Sequence, residues 1–233
     1  MRIFNKGFHF GQDGPGNRLV YHVSGCNMHC IWCSNPEGMS GEAGTDCSVE
    51  ELLSECQSCR KLFFSGGGVT FTGGEATRCY CELLPLLEHL QQLNIHTAIE
   101  TNATSAHLLE LARRIDYLIM DFKHYDSSLL KQYTGIGNEQ IQKNFEALAE
   151  SGRQLHVRIP LIHGINTKNP YGFAEYFSRY NTANTVFEFL PYHEYGRNKW
   201  TGKYQVQNGF VTEDELQLFR NVFRRCHLTV IQT

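Results

Sequence analysis

Short apolar runs alternate with helical patterns along most of this 233-residue chain. The runs are rich in Val, Ile and Phe, and the one at Tyr117–Met120 is apolar throughout. Continuous apolar runs of this length are typical of parallel strands that are buried on both faces. The predicted strands are Arg18–Ser24, Gly68–Phe71, Thr97–Thr101, Tyr117–Phe122, Leu155–Ile159 and Thr185–Leu190, with a last run at Leu228–Ile231.

Helical patterns fill the intervals between these runs. Ser48–Glu51 and Thr212–Glu215 each have the capping-box pattern that opens a helix. Further helices are predicted over Glu82–Gln92, Ala106–Arg113, Glu139–Glu150 and Pro170–Arg179. Repeated strand–helix units predict an α/β fold with a parallel sheet and right-handed crossovers. Periodicity leaves open a doubly wound sheet, a full barrel or a partial barrel, and in each the chemistry lies at the carboxyl ends of the strands.

Length and composition limit the remaining classes. The length favours a single domain over residues 1–233. A formal net charge of −3 gives no sign of nucleic-acid binding, and no run of about 20 apolar residues predicts a membrane span. The first residues lack the apolar run of a secretory signal, so we expect a cytoplasmic protein. Nine cysteines, an odd number, favour metal binding or catalysis by reduced thiols over a disulfide framework.

Polar or reactive residues follow almost every predicted strand. Cys26 follows the first, Gly73–Glu75 the second and Glu100–Asn102 the third. Asp121 and Lys123 come at the end of the fourth strand, Arg158 lies near the end of the fifth, and His193 comes just after the sixth. Because the carboxyl ends of parallel strands meet at one edge of a sheet, we expect these residues to form a single site.

Three cysteines, Cys26, Cys30 and Cys33, lie in one short loop. Thiolates this close need a cation to neutralise them, and soft thiolates suit zinc or an iron–sulfur cluster. Structural zinc usually has four closed ligands, and here the fourth would be His29 or a distant residue. Three thiolates on a 4Fe–4S cluster leave one iron open to bind a substrate, so we favour the cluster over zinc and over buried cysteines without a ligand.

The spacing C-x3-C-x2-C, with Trp32 just before the third cysteine, resembles the radical S-adenosylmethionine (SAM) superfamily. With Asp13–Gly16 and the run Pro191–Trp200, the chain is similar to the glycyl-radical-enzyme activating enzymes of the compact, pyruvate formate-lyase activase-like type. The resemblance implies a partial (β/α)6 barrel of parallel strands with a radical SAM core. It also implies reductive cleavage of SAM at a 4Fe–4S cluster on Cys26, Cys30 and Cys33.

In that family the 5′-deoxyadenosyl radical removes a Cα hydrogen from a glycine of a partner enzyme. The resemblance thus implies an oxidoreductase of anaerobic metabolism with two protein partners, a glycyl radical enzyme and an electron donor such as flavodoxin or ferredoxin. No residue of the chain need act as an acid or base. The alternatives are a radical SAM enzyme acting on a small molecule, which uses the same cluster, and a non-catalytic zinc-binding module.

The family's cofactor contacts match positions near the predicted strand ends. The glycines and Glu75 of the Gly-Gly-Glu motif would bind the amino group of SAM, Lys123 its carboxylate, and His193 its ribose or carboxylate. The predicted cofactor-binding residues are Trp32, Cys33, Ser34, Gly73, Gly74, Glu75, Thr101, Asn102, Asp121, Phe122, Lys123 and His193.

Two further sets of residues take roles from the resemblance. Glu100, Thr101 and Asp121 would hold a monovalent cation, since oxygen ligands suit a hard cation, although Glu100 stands where the compact enzymes usually have Asp. Asp13 and Arg158 would engage the glycine loop of the partner.

The remaining cysteines show no ferredoxin spacing, so no ferredoxin-like insert is predicted. Cys47, Cys56, Cys59, Cys79 and Cys81 leave an auxiliary metal site open, with ordinary burial favoured. The sequence cues for the partner disagree, because Gly73–Ala76 favours a pyruvate formate-lyase and Ser34–Glu37 favours other glycyl radical enzymes.

Overall fold

The computed structural model describes Met1–Gln232, and this part of the chain forms two compact units. The first unit is Met1–Asn27 with Glu37–Ile119, and the second is Met28–Pro36 with the chain from Met120 onward. The single domain over residues 1–233 stays a prediction.

The first unit is a strand layer covered by helices. Its strands have the order β3-β1-β2-β4-β5, in which β1 is antiparallel to both neighbours and β2, β4 and β5 are parallel. The adjacent side chains Val20 and Tyr21 of β2 are both fully buried, so this strand is covered on both faces, which explains its continuous apolar run. The elements are β1 (Arg2–Phe10), β2 (Asn17–Val23), β3 (Thr45–Asp46), α1 (Val49–Ser58), β4 (Gly68–Gly73), α2 (Tyr80–Gln92), β5 (Thr97–Thr101) and α3 (Leu108–Ala112).

Along the chain, β6 (Tyr117–Asp121) leads from the first unit into the second. In the second unit β7, β8 and β9 are parallel neighbours, and a core of aromatic rings around Phe122 and Phe177 packs beneath the helices. Its elements are α4 (Ser127–Thr134), α5 (Glu139–Glu150), β7 (Leu155–Leu161), α6 (Pro170–Phe177), β8 (Thr185–Pro191), α7 (Glu213–Arg225) and β9 (Thr229–Ile231).

The α/β class is confirmed, and so are both helix starts predicted from capping boxes. At α1 the Ser48 hydroxyl accepts from Glu51 N while the Glu51 carboxylate accepts from Ser48 N. Thr212 and Glu215 make the same reciprocal pair at α7. Each pair satisfies amide groups that have no partner within the helix.

Three elements were missed by the sequence patterns: β1, the two-residue β3 and α4. In β1, charged and polar residues interrupt the apolar ones, because much of this strand is exposed. In α4 the eight residues are mostly polar, and only Leu130 and Thr134 are buried. Its start is nevertheless capped by Asp126, whose carboxylate accepts from Leu129 N.

Several predicted elements end at other residues than expected. The helix predicted over Ala106–Arg113 is the shorter α3, and the one predicted over Pro170–Arg179 ends at Phe177. Conversely, β7 runs on to Leu161. No helix within residues 1–232 has the length and apolar character to cross a membrane.

Candidate active site

In the first unit the turns that follow β2 and β4 are hydrogen-bonded to each other. Gly74 N donates to Val23 O at 2.7 Å, and Glu75 N donates to Gly25 O at 2.9 Å. Gly73 has a φ of +116°, and a Cβ there would lie 2.3 Å from Val23 N. Only glycine combines this left-handed backbone with so close an approach, so the first glycine of the motif is required by the packing of the two turns.

Glu75 is only 2% exposed, and both oxygens of its carboxylate accept hydrogen bonds from donors in the same unit. Oε1 accepts from Thr77 N and Oγ1 and from Thr101 Oγ1, and Oε2 accepts from Asn102 N at 2.6 Å. These bonds fix the turn after β4 to the end of β5. In this structure the Glu75 carboxylate maintains the position of the turn. Its contact with an ammonium group stays a prediction.

We expect Glu75→Gln to lower the free energy of unfolding. The amide group offers one acceptor oxygen where the carboxylate offers two, so a buried N–H such as that of Asn102 loses its partner, at a cost of about 1–3 kcal/mol. Urea unfolding measures this change. Glu88→Gln, at a partly exposed carboxylate of α2 that pairs with Arg114, is the matched control, and equal stabilities for the two variants would contradict the role assigned to Glu75.

Asn102 connects the end of β5 to the first cysteine. Its Nδ2 lies 3.8 Å from Cys26 Sγ and donates to Asn27 Oδ1 at 3.0 Å, while its Oδ1 accepts from Thr104 Oγ1 at 2.6 Å. Asn27 in turn donates to the Thr104 hydroxyl. The sequence patterns did not select Asn27 or Thr104, because short polar residues in a loop carry no periodic signal.

Two of the three residues predicted to hold a cation, Glu100 and Thr101, make other contacts in the first unit. The Glu100 carboxylate accepts from Thr72 Oγ1 at 3.1 Å. The Thr101 hydroxyl donates to Glu75 and accepts from Ala103 N. A cation at these residues stays a prediction.

Asp13 lies in the loop between β1 and β2, where its side chain is mostly covered. Its carboxylate pairs with His9 Nδ1 at 2.6 Å, and its carbonyl oxygen accepts from Thr70 Oγ1. Arg18 is fully buried beside it and donates to the same Thr70 hydroxyl. Burial lowers the pKa of Arg18 to about 10. Because this pKa is still well above 7, the guanidinium stays charged at neutral pH.

In the second unit the loop with Cys30 and Cys33 is attached to the end of α4. His29 N donates to Thr134 O at 2.8 Å, and Ile31 N donates to Tyr133 O at 3.2 Å. Within the loop, Cys33 N donates to Cys30 O. The helix that the sequence patterns missed therefore supports two of the three predicted cluster ligands.

The segment after β8 also holds this loop. Trp200 Nε1 donates to Cys33 O at 3.1 Å, and Lys199 Nζ donates to Asn35 Oδ1. Gly196 packs directly on Ser34, since a Cβ at position 196 would lie 2.5 Å from Ser34 O. The run Pro191–Trp200 therefore fixes the backbone around the third cysteine.

Trp32, predicted to touch the cofactor, is a packing residue in this structure. Its ring lies 6.3 Å from that of Tyr133, measured between centroids. It also packs on the small apolar cluster of Ile162, Tyr192 and Val206. Its contact with a cofactor stays a prediction.

Asp121 and Lys123 form a pair, whereas Phe122 between them lies in the core. Lys123 Nζ donates to Asp121 Oδ2 at 2.6 Å, so the lysine and carboxylate predicted to serve the cofactor pair with each other. Phe122 is fully buried among Tyr176 and Phe177, and its side chain forms part of the core. The cofactor contacts of all three stay predictions.

His193 follows β8 and is half-buried. Burial lowers its pKa, so the ring is neutral at pH 7. Tyr195 N donates to Nδ1 at 3.4 Å, which leaves the proton on Nε2. The contact of His193 with a cofactor stays a prediction.

Arg158 is buried and paired within the second unit. Its Nε donates to Glu188 Oε2 at 2.7 Å across the β7–β8 register, and His156 Nε2 lies 2.9 Å from the same oxygen. Burial alone would raise the pKa of Glu188, but the hydrogen bond from His156 and the charge of Arg158 outweigh it and lower that pKa. Arg158 therefore interacts here with its own chain, and its contact with a partner stays a prediction.

Of the six cysteines outside the predicted cluster loop, Cys56 is buried and the others are partly or fully exposed. Cys56 is fully buried, and burial raises the pKa of its thiol to about 12, so it is an inert apolar residue. An auxiliary metal site at Cys47, Cys59, Cys79 and Cys81 stays an open alternative to ordinary packing.

Comparison with known protein families decides what kind of protein carries these residues. The model of the radical SAM superfamily matches residues 20–177, more than half of the chain. The chain belongs to the radical SAM superfamily. It is an enzyme of radical chemistry, and membership implies a 4Fe–4S cluster and SAM as cofactors.

Individual relatives point to one branch of the superfamily. The chain is 30% identical to a pyruvate formate-lyase-activating enzyme of Staphylococcus epidermidis, over 87% of this chain and 86% of the relative. A pyruvate formate-lyase-activating enzyme of Staphylococcus aureus is 28% identical over the same shares. The predicted resemblance to this compact type is confirmed.

Solved structures give the same fold. A domain of a pyruvate formate-lyase-activating enzyme from Bacteroides vulgatus superposes with a TM-score of 0.60 at 30% identity, over 71% of this chain and 98% of that one. A radical SAM methyltransferase from Sphaerobacter thermophilus superposes with a TM-score of 0.68 at 16% identity, over 96% of this chain and 67% of that one. The predicted radical SAM core with parallel strands in a partial barrel is confirmed.

The sulfur atoms of Cys26 and Cys33 lie beside N–H donors, as the thiolate ligands of an iron–sulfur cluster often do. Asn35 N donates to Cys33 Sγ at 3.4 Å, and the Asn102 amide points at Cys26 Sγ. N–H donors to sulfur stabilise thiolates, and hydrogen bonds of this kind tune the potential of a bound cluster. The chemistry around both sulfurs therefore suits the cofactor that the family implies.

Proposed function

We propose that this chain activates a glycyl radical enzyme. One electron and one SAM would give methionine and a 5′-deoxyadenosyl radical. That radical would take a Cα hydrogen from a glycine of the partner, leaving 5′-deoxyadenosine and a glycyl radical. The observation that carries the proposal is the match to pyruvate formate-lyase-activating enzymes over 87% of this chain.

Cys26, Cys30 and Cys33 would hold the 4Fe–4S cluster, which supplies the electron and an open iron for the methionine end of SAM. Asn102 and the Asn35 amide would fix the thiolates, and the Gly73–Gly74 turn, held by Glu75, would present backbone oxygens to the SAM amine.

The other predicted contacts complete the proposed SAM site. Lys123 would meet the SAM carboxylate by exchanging its bond with Asp121, and His193 would donate from Nε2. No proton transfer is required of any side chain. The cation at Glu100, Thr101 and Asp121 and the electron donor, a flavodoxin or ferredoxin, belong to this proposal.

Replacing a cluster cysteine tests the chemistry. We expect Cys26→Ser, purified anaerobically, to lose iron, sulfide and the visible absorbance that bleaches with dithionite, and to make no 5′-deoxyadenosine from SAM. Cys59→Ser, at the end of α1, is the matched control and should keep all of these properties. A Cys26→Ser protein that retains cluster and cleavage would contradict the ligand assignment.

The nature of the radical acceptor is tested with the wild-type enzyme. Electron paramagnetic resonance of pyruvate formate-lyase incubated with the enzyme, SAM and reductant should show a stable glycyl radical. Cleavage of SAM without that signal in pyruvate formate-lyase or another glycyl radical enzyme would favour the small-molecule alternative.

A further inference from the structure

The first unit exposes an apolar surface that the proposed chemistry does not use. We call Phe8, Phe10, Leu62 and Phe64 the aromatic patch; they are 40%, 63%, 48% and 54% exposed. The rings of Phe10 and Phe64 lie 6.0 Å apart between centroids, so the patch joins β1 to the segment after α1. Contiguous exposed apolar surface of this kind marks interaction sites.

The edge of β1 beside the patch has unused backbone groups. One edge of β1 pairs with β2 as far as Phe10. On the other edge only Arg2 and Ile3 pair, with β3, and across residues 1–232 no strand covers Lys6–Phe10 on that side. Such an edge can accept one further extended strand.

Two positive charges border the patch. Arg60 and Lys61, in a short 3₁₀ turn that ends at Leu62, are exposed, and neither forms an ion pair with any residue in 1–232. They stand out in a chain whose formal net charge is −3. A segment that covers the patch would therefore gain from carrying acidic side chains.

The patch is continuous with the loop predicted to engage the partner. Asn17 N donates to Phe64 O at 3.1 Å, and Asn17 Nδ2 donates to Leu62 O at 2.8 Å. Gly16, at the end of the Asp13–Gly16 turn, packs on the same carbonyl, since a Cβ there would lie 2.5 Å from Phe64 O. The turn and the patch thus form one surface.

We propose that the aromatic patch and the β1 edge dock an extended segment of the glycyl radical enzyme that carries apolar and acidic side chains. The proposal rests on the proposed function. It adds a binding surface that contacts the partner at a segment other than the one that carries the reacting glycine. A second copy of this chain is disfavoured as the occupant, because a twofold contact would bring two sets of Arg60 and Lys61 together.

The test compares binding with chemistry. Cluster-loaded enzyme carrying Phe10→Ser and Phe64→Ser is titrated against pyruvate formate-lyase by biolayer interferometry, under anaerobic conditions with SAM. We expect Kd to rise about tenfold or more, as for loss of central aromatic residues in an interface. Cleavage of SAM with dithionite in the absence of partner should equal wild type.

The matched control is Tyr171→Ser with Leu218→Ser, exposed apolar residues of the second unit, which should leave Kd unchanged. The variant Arg60→Glu with Lys61→Glu should associate more slowly with pyruvate formate-lyase, and the difference from wild type should shrink as salt is added.

Each contrary outcome has a separate meaning. If wild type binds and the patch variant binds equally well, the docking surface is wrong while the proposed function stands. If wild type does not bind pyruvate formate-lyase or another glycyl radical enzyme, the proposed function fails and the docking proposal with it. If sedimentation shows a wild-type dimer that the patch variant lacks, the occupant is a second copy and the proposal is overturned.

Discussion

We expect Gly196→Ala to lower cluster content and the rate of SAM cleavage together. The backbone at Gly196 has a φ of −88°, which any residue adopts, so only space is at issue. A Cβ would lie 2.5 Å from Ser34 O and 2.6 Å from Ser34 Cα. Relieving that overlap moves the backbone next to Cys33, and displacements near 1 Å in a catalytic site lower rates by about 10²-fold.

Gly202→Ala is the control for this variant, because it adds the same methyl group to the same segment where no atom lies within 4 Å. Iron per chain and 5′-deoxyadenosine formation are measured for both proteins. If Gly196→Ala matches Gly202→Ala in both quantities, the segment after β8 does not position Cys33.

The second large effect is expected for Glu188→Ala. Removing this carboxylate leaves the buried Arg158 guanidinium without its closest anion, and breaking a buried ion pair costs about 3–5 kcal/mol. Urea unfolding at pH 7 measures the change. Glu175→Ala, which breaks an exposed ion pair with Arg179, should leave the free energy of unfolding nearly unchanged.

The double variant Arg158→Met with Glu188→Leu separates charge from volume. It should recover much of the stability that Glu188→Ala loses, because no buried charge is then left unpaired. A double variant as unstable as Glu188→Ala would show that packing, not the ion pair, stabilises this site.

The pH dependence follows from the same carboxylate. Its pKa is lower in the folded protein than the ordinary 4.5, so the unfolded chain binds the proton first as pH falls. The contribution of Glu188 is complete above about pH 4.5 and is lost as pH falls through the lower, folded pKa. Glu188→Ala should therefore unfold with a flatter dependence on pH in this acidic range.

Local patterns were sufficient to predict much of the fold. Leu118–Met120 in β6 form a continuous buried apolar run, and α1 and α7 carry their capping boxes in the sequence. The strand β1 was missed because its exposed residues lack that continuous pattern, and α4 because few of its residues face the core.

The contacts of the predicted site residues were harder to predict from the sequence than the fold was. The pattern selects Cys26 and Glu75, yet it does not show that Glu75 is already saturated by Thr77, Thr101 and Asn102. Likewise Arg158 reads as a polar residue near a strand end, and only the cross-strand register pairs it with Glu188. Spacing identifies the reactive groups, whereas their partners come from distant segments.

Arg60 and Lys61, beside the uncovered edge of β1, influence both aggregation and partner binding. An open strand edge with exposed aromatic rings can template aggregation unless charges oppose it. Arg60 and Lys61 supply that opposition between copies, and they also attract an acidic segment. The solubility of the unbound protein and its choice of partner are therefore not independent, and a substitution that alters one of these properties alters the other.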